Sequence, residues 1–538
     1  MKPATRMDAP APAAAPRNPR WTGAAAGVIA AAVALGAGEL VAGLLGGNAS
    51  PVVVVGGGIV DGAPQWLKAF AIRTFGASDK QVLIGGILVV LVVMAALLGG
   101  QALRRLRLAA IVVAALGIAG AVFAARRPAA APLDVLPSLV AAAAGIGALA
   151  LLARAARTMA PASAGAGKPA GPSAPPAPAE PMAPSRRGFL RTGLLLTGAA
   201  AVSGGAGRAI AAARGNVSAS RAAVQLPVPA SPAPPFPADA DLKLPGLSSF
   251  HTPNKDFYRV DTSLVVPRVP AETWTLKVGG MVDRPLEIDF SQLLRRPMIE
   301  RDLTLSCVSN EVGGPYIGTA RWIGAPLKDL LTEAGVRRGV DQLVSRADDG
   351  FTIGTPMAAV LDGRDAILAV GMNGQPLPLE HGFPVRMIVP GLFGYVSATK
   401  WLVELEASTF AGFDAYWVKR KWAREGPVKT MTRIDTPKGL SSPERGKVAV
   451  AGVAWAQHTG IGKVEVRVDG GEWAQARLAP APSADTWRQW VWEWDAQPGR
   501  HTLEVRGTDR SGRTQPEARV PPFPSGATGW HSVVVTVT

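Results

Sequence analysis

The chain has 538 residues, 48% of them hydrophobic, and 56 Lys plus Arg against 40 Asp plus Glu give a formal charge of +16. That length predicts several domains, and so basic a chain would ordinarily point to nucleic acid. The single Cys excludes an internal disulfide, a protein-ligated iron–sulfur cluster, a Cys-rich zinc site and a CxxCH haem attachment within the chain.

The charge is unevenly distributed. Fifteen of the sixteen net charges precede Leu226, and the remainder of the chain is almost neutral. The basic part is also the apolar part, which argues against a nucleic-acid partner. Gly23–Gly46, Val82–Gly100, Leu108–Ala125 and Leu133–Ala153 are each long enough to cross a hydrocarbon core, which takes roughly 17–25 residues. Val52–Val60 is too short, and Gln65–Gly76 reads as an amphipathic helix on a membrane surface. Basic residues precede the first run (Lys2, Arg6, Arg17, Arg20), separate the second from the third (Arg104, Arg105, Arg107) and follow the fourth (Arg154, Arg157). The positive-inside rule predicts a four-helix unit over 1–157 with both ends in the cytoplasm. No His lies in the first 250 residues, so this unit has no axial ligands for a b-type haem. Glu39 reads as mid-helix, consistent with either a proton or substrate path or a helix-packing contact.

A Pro/Ala/Gly/Ser linker over 158–184 follows. Ser185-Arg186-Arg187-Gly188-Phe189-Leu190 then precedes the apolar stretch Thr192–Gly207, and together they resemble an internal twin-arginine export signal, or a fifth membrane helix, over 185–213. Such a route predicts a folded, cofactor-loaded domain outside the cytoplasm. Residues 214–243 read as a Pro/Ala-rich tether.

From 244 to 426 the pattern is mixed α and β. It has a strand at Trp274–Met281, a short helix at Ser291–Leu294, a buried strand Leu303–Val308 carrying Cys307, a helix Leu327–Ala334 closed by Gly335, and a strand Val385–Val389. From 427 to 538 short alternating runs predict an immunoglobulin-like sandwich: Lys447–Trp455, Gly462–Val468, Trp487–Trp494 and His501–Asp509. The fold class is thus a multi-domain chain: a transmembrane helical bundle, an α+β domain and a β-sandwich.

Cys307 carries the chemistry. A lone Cys is usually a small buried hydrophobe, but a thiolate also ligates soft or high-valent metals. Leu305–Asn310, Ala320-Arg321-Trp322-Ile323-Gly324, Met372–Leu377, His381-Gly382-Phe383-Pro384-Val385-Arg386, Val389-Pro390-Gly391 and Lys400-Trp401 stand in an order and at a spacing that resemble the sulfite oxidase family of molybdopterin enzymes. The resemblance covers 244–538 and none of the membrane part. It implies molybdenum bound by Cys307 and a molybdopterin whose phosphate is held by Arg386 and Lys400, with backbone donors from Ser397 to Thr399. It further implies pterin contacts from His381 and Asp349, and a cofactor loop containing Tyr258, Arg259 and Asp261, with Asn310 beside the ligand. The C-terminal sandwich resembles the family's dimerisation domain.

The departures matter. Where sulfite-oxidising members carry Arg-Asn-His, this chain reads Val260-Asp261-Thr262, and where two arginines follow the Asn it has Glu311 and Val312. Trp422 stands where the family has an active-site Tyr. Without those arginines a sulfite dianion loses much of its attraction. Trp322 is expected as an apolar wall, and Arg321 and Arg488 as anion contacts, Arg321 with an equally open structural role. The expectation is an outward-facing, membrane-anchored oxidoreductase that transfers an oxygen atom to or from a small substrate other than sulfite. Electrons would pass to a separate quinone or cytochrome. Sulfoxide or N-oxide reduction and an inactive cofactor-binding scaffold are the alternatives.

Overall fold

The structure is a computed structural model that describes residues 20–45, 49–75, 79–157, 186–214 and 217–538. The 158–184 linker, Lys2, Arg6, Arg17 and Ser185 lie outside the described residues. The chain divides into two compact units, Met1–Arg214 and Gly215–Thr538.

The first unit is helical: α1 (Arg20–Leu45), α2 (Pro51–Gly62), α3 (Gln65–Phe75), α4 (Asp79–Ala125), α5 (Leu136–Arg157) and α6 (Arg186–Arg214). Four stretches are long and apolar enough to cross a membrane, Trp21–Leu45, Lys80–Ala125, Pro132–Ala156 and Arg187–Ala223, the last extending beyond this unit. The two runs expected as separate helices are two helices here, meeting at the non-helical Arg105 (φ −140°, ψ 72°), and α4 denotes the pair. That break folds α4 back on itself. Its first half runs antiparallel to α1, with Gly27 against Ala95 and Gly23 against Gly99; its second half runs antiparallel to α5, with Gly117 against Ala142 and Gly120 against Ser138.

Glycine makes these approaches possible. A Cβ on Gly27 would fall 1.8 Å from the Ala95 carbonyl oxygen, and one on Gly43 2.2 Å from that of Gly207. Small residues at crossing points let lipid-embedded helices pack backbone to backbone. α6 runs parallel to α1 through Ile29–Gly193, Gly36–Ala200 and Gly43–Gly207. Ala26, Leu103, Leu152, Ala156 and Phe189 cluster at one end. This end therefore carries the start of α1, the α4 bend, the end of α5 and the start of α6, and so all the arginine groups among the described residues that sequence reasoning assigned to one side. Val89, Leu97, Ile111, Leu194, Leu195 and Val202 stay exposed, as lipid-facing side chains would. Glu39 lies near the end of α1 rather than mid-helix, and accepts a hydrogen bond from the Ser50 hydroxyl.

In the second unit the strands are β1 (Thr275–Gly280), β2 (Leu286–Asp289), β3 (Ile299–Ser306), β4 (Ile317–Pro326), β5 (Gln342–Ala347), β6 (Thr352–Pro356), β7 (Ile367–Met372), β8 (Gln375–Pro376), β9 (Arg386–Ile388) and β10 (Leu402–Ser408). One sheet has the order β2-β1-β10-β5-β6, with β1 and β10 parallel; the other has β3-β4-β7-β8, with β9 on β7. Asp289 caps the Phe290–Leu294 helix in a capping box with Gln292, and Gly335 (φ 70°) ends the Leu327–Ala334 helix, as the sequence predicts. The core is continuous across both sheets, and its most enclosed members include Trp274, Trp322, Leu276, Leu293 and Leu303.

The remaining strands are β11 (Met431–Thr436), β12 (Gly446–Trp455), β13 (Ile461–Val468), β14 (Ala474–Gln475), β15 (Arg477–Leu478), β16 (Arg488–Ala496), β17 (Gly499–Asp509) and β18 (His531–Val537). They form two four-stranded antiparallel sheets, β11-β12-β16-β15 and β14-β13-β17-β18. All four predicted runs are strands here; β11 and β18, whose alternation is weaker, went unread.

One expectation needs correcting. From Val217 onward the 214–243 segment does not hang free. Arg221 donates to the carbonyls of Pro376 and Leu377, Ser231 exchanges backbone hydrogen bonds with Met298 and Glu300, and Leu226 packs on the core. Val217–Ala223 forms a short helix that carries Arg221, and the Pro-rich stretch after it is an extended strap held by a few anchors.

Candidate active site

Five connections converge: residues 251–263 ahead of β1, 307–316 between β3 and β4, the β5–β6 turn, 377–385 before β9 and 389–401 after it. Cys307 lies one residue beyond β3, not inside the strand as its pattern predicts. Its N–H donates to the Tyr316 carbonyl at 2.9 Å, and its Sγ is 2.9 Å from the Ser309 hydroxyl. Enclosure pushes the thiol pKa up, while the Ser309 contacts and the positive charge of Lys400 pull it down. The turn after β9 abuts this end of β3. A methyl added at Gly394 would lie 3.8 Å from the Ser306 carbonyl oxygen and 3.9 Å from the Tyr258 hydroxyl. Tyr258 stacks on Phe257, and burial raises its phenol far above the ordinary range.

Behind the thiol lies a cationic cradle. Arg386 is buried, with Nη1 donating to the His381 carbonyl at 3.1 Å, and its Nε has no partner among the described residues. Burial pulls its pKa down to about 10. Lys400 donates to Asp261 at 2.6 Å, and Asp261 also accepts from Arg259 at 2.8 Å. Burial lowers the Lys400 pKa to about 8 against the pull of Asp261. The Asp349 carboxyl is raised by burial, with Ser263 and Lys400 opposing. Burial lowers His381 to about 4, so the ring is neutral. Its Nε2 lies 2.9 Å from the Asn254 carbonyl, which can only accept, so Nε2 carries the proton and Nδ1 keeps its lone pair. Gly382 (φ 110°) makes the turn that brings these groups together, and a Cβ there would sit 3.1 Å from the Lys400 backbone.

Other expected residues do different work. Arg321 forms a two-pronged pair with Asp302 (2.9 and 2.8 Å), which also holds His251. The register pairs Asp302 with Arg321 and Ser306 with Ile317, so Arg321 stands roughly 13 Å up the ladder from the thiol end. It is structural, not an anion contact. Arg488 is occupied by the carbonyls of Ala479 and Ile461. Trp322 is fully buried, so it is no substrate wall; its ring is a floor beneath Arg386, whose Cζ is 5.2 Å from the ring centroid. Asn310 uses its side-chain oxygen to hold the Tyr316 N–H at 2.8 Å, closing the Cys307 loop. The Ser397 hydroxyl donates to the carbonyls of Leu392 and Phe393, and the Thr399 hydroxyl meets Ser345, so neither hydroxyl is free. Trp422 packs among Tyr395, Trp417 and Phe523 with its indole N–H buried and unpartnered. Sequence reasoning missed Ser309, Asn254, Ser263 and Glu380, whose carboxylate lies 3.8 Å from Arg259 and whose carbonyl accepts from Lys400 at 3.3 Å. Only Ser309, two residues from Cys307, carried any local signal.

These residues fit a molybdopterin. Among the described residues no group of three His, Cys, Asp or Glu could bind a metal alone, so a metal here needs ligands from a cofactor. The buried Arg386 has no carboxylate partner, and the N–H groups of Thr399 and Lys400 have no acceptor among the described residues. Unmatched donors around a buried cation suit a phosphate.

Residues 263–417 match the oxidoreductase molybdopterin binding domain family. The chain is 29% identical over 343 residues to the mitochondrial sulfite oxidase of Rattus norvegicus, covering 54% of this chain and 62% of that protein. It is 31% identical over 350 residues to the sulfite oxidase of Gallus gallus, covering 55% of this chain and 75% of that protein. The crystal structure of the sulfane dehydrogenase SoxCD from Paracoccus pantotrophus superposes with a TM-score of 0.47 at 24% identity, covering 54% of this chain and 84% of that one. The chain spans about three fifths of the length of the mammalian relatives it matches. The chain belongs to the sulfite oxidase family of molybdenum–molybdopterin oxidoreductases.

Proposed function

We propose that this protein is a membrane-anchored molybdoenzyme whose catalytic unit works outside the cytoplasm, transferring an oxygen atom to or from a small neutral substrate rather than sulfite. One observation carries the reading: the single thiol of the chain, at the end of a buried strand, and the buried Arg386, which has no carboxylate partner among the described residues, both act on the buried Tyr258.

The bound cofactor supplies the two-electron oxygen-atom exchange. Cys307 contributes a thiolate to the metal. Arg386, Lys400 and the N–H groups of Thr399 and Lys400 hold the phosphate. The Asp349 carboxyl accepts from the pterin amine, and neutral His381 offers its Nδ1 lone pair. Tyr258 and Arg259 line the cofactor loop, with Asp261 keeping Lys400 and Arg259 in place. Trp422 takes the position facing the substrate.

Charge supports the neutral substrate. Lys400 pairs with Asp261, Arg259 pairs with Asp261 and Glu380, and Glu311 and Val312 stand where sulfite-oxidising members carry arginines. Sulfoxides and N-oxides are neutral substrates of this kind, and their reduction is the alternative reading. A redox screen with artificial donors and acceptors against sulfite, sulfoxides and N-oxides tests it; turnover of sulfite above all others would overturn the proposal. Near-stoichiometric molybdenum in the purified protein separates the enzyme from an inactive scaffold.

The shared end for the arginine groups supports a multi-pass bundle with that end in the cytoplasm, so α6 crosses outward. Arg186-Arg187 at its start serve as a twin-arginine export signal, and packing of α6 along α1 supports retention of that helix as an anchor. A separate quinone or cytochrome exchanges electrons with the site, and the immunoglobulin-like sandwich serves a homodimer. Arg186→Lys with Arg187→Lys then strands the catalytic unit inside. Protease accessibility in intact cells reads this out, and unchanged exposure would count against the export route.

A further inference from the structure

The ten-residue loop from Cys307 to Tyr316 joins the paired ends Ser306 and Ile317. It closes on itself through Cys307 N–H to Tyr316, Asn310 N–H to Cys307, Gly314 N–H to Glu311, and the Asn310 side chain. Its outer side rests on the C-terminal sandwich. Arg433, on β11, donates through Nη1 to the Gly314 carbonyl at 2.9 Å. The rest of that guanidinium is aimed by Asp435 (Nε to Oδ1, 2.6 Å) and by the Ser248 hydroxyl (Nη2, 3.0 Å). Arg433 and Asp435 are nearly buried, at 11% and 6% side-chain exposure, so this is a desolvated, charge-assisted contact rather than a surface pair.

His531, the first residue of β18, makes the second contact. Its Nδ1 accepts the Ile434 N–H at 3.0 Å, and its Nε2 edge faces Gly313 so closely that a Cβ there would lie 2.3 Å away. Gly313 holds φ at 77°, so the loop bends against the imidazole where only glycine fits. Val312 packs on the cluster of Trp455, Trp487 and Phe250.

We infer that Arg433, aimed by Asp435 and backed by His531, is a positioning residue for the Cys307 thiol, so that the C-terminal sandwich fixes the geometry of the metal ligand besides any part in assembly. The inference rests on the reading that Cys307 holds the metal. The physical reason is leverage: the Gly314 carbonyl is two residues from Tyr316, whose own carbonyl holds the Cys307 N–H. Freeing Gly314 loosens the single hydrogen bond that ties the thiol-bearing residue to the start of β4.

The sole cysteine makes the test specific. Full-length protein produced without cofactor is alkylated with iodoacetamide under native conditions. Arg433→Gln is expected to raise the alkylation rate about tenfold, by losing a charge-assisted hydrogen bond of about 1.5 kcal/mol or more. Arg488→Gln, in the same sandwich but away from the loop, leaves the rate unchanged. In the loaded full-length protein, Arg433→Gln is expected to shift the Mo(V) paramagnetic resonance signal after dithionite reduction, at normal molybdenum content. Arg433→Lys keeps the charge but reaches fewer acceptors, and provides the same two readings if the Gln variant does not accumulate; it is expected to fall between wild type and Gln. A wild-type alkylation rate and resonance signal in a folded Arg433 variant would overturn the inference. Failure of the ligand reading is a separate outcome: a wild-type resonance signal in Cys307→Ser.

Discussion

Arg386 lies over the indole of Trp322, its Cζ 5.2 Å from the ring centroid, with its Nε unpaired. The ring supplies a face of negative potential under a buried cation that no carboxylate neutralises. The guanidinium therefore stays charged and aimed, ready for an anion. Trp322→Leu is expected to remove this floor, to cost about 3 kcal/mol of stability, and to lower molybdenum content more than the stability loss alone would. Elemental analysis alongside thermal unfolding checks it, and a normal molybdenum content would contradict it.

The thiol is predicted to be indispensable for turnover and dispensable for folding. Cys307→Ser removes a half-buried group whose side-chain partner is one hydroxyl, Ser309. Activity is expected to disappear while the melting temperature moves by only a few degrees. Full activity in that variant would refute the ligand assignment.

Gly382 is the hinge of the cradle. With φ at 110° and the Lys400 backbone 3.1 Å from its absent Cβ, Gly382→Ala is strained in backbone and in space. The expected result is a loss of more than about 1 kcal/mol together with weaker retention of cofactor on dilution. Comparison with Gly339→Ala, which meets nothing within 4 Å though its φ is also positive at 87°, separates the two causes.

Asp302 makes a pH prediction. Its carboxyl is held down at about 2, where hydrogen bonds and charge from Arg321 and His251 outweigh desolvation. A depressed carboxyl adds stability above its unfolded pKa, near 4, and that contribution is lost as pH falls through 2. Asp302→Asn is thus expected to cost about 2 kcal/mol at neutral pH, with the gap to wild type closing between pH 4 and 2. Denaturant unfolding across that range measures it. Arg321→Gln is expected to lower stability and leave kcat/KM unchanged, because the guanidinium serves Asp302 and not the substrate.

Much of the fold was legible because it rests on local rules. Apolar length marked the helices, alternation marked β12, β13, β16 and β17, and Gly335 marked a helix end. The two helices of α4 are legible as two apolar runs parted by Arg104, Arg105 and Arg107, and the structure adds that Arg105 alone makes the turn between them. The docking of 217–243 is not legible, because its anchors Arg221, Leu226 and Ser231 are single residues whose partners lie far along the chain.

The site divides in the same way. The chain alone determined that one thiol exists, that the basic excess belongs to the helical part, and that His381, Arg386 and Lys400 fall within short motifs. It could not determine which cation was free. Arg321 and Arg386 look alike in sequence, yet Asp302 neutralises the first and no carboxylate among the described residues neutralises the second. Lys400 meets Asp261 across 139 residues, and Arg433 meets Gly314 across 119. Local patterning follows from the few residues on either side, and so can be read along the chain. The charge state and aim of a buried group follow from whichever distant segment packs on it, and only the folded chain decides that.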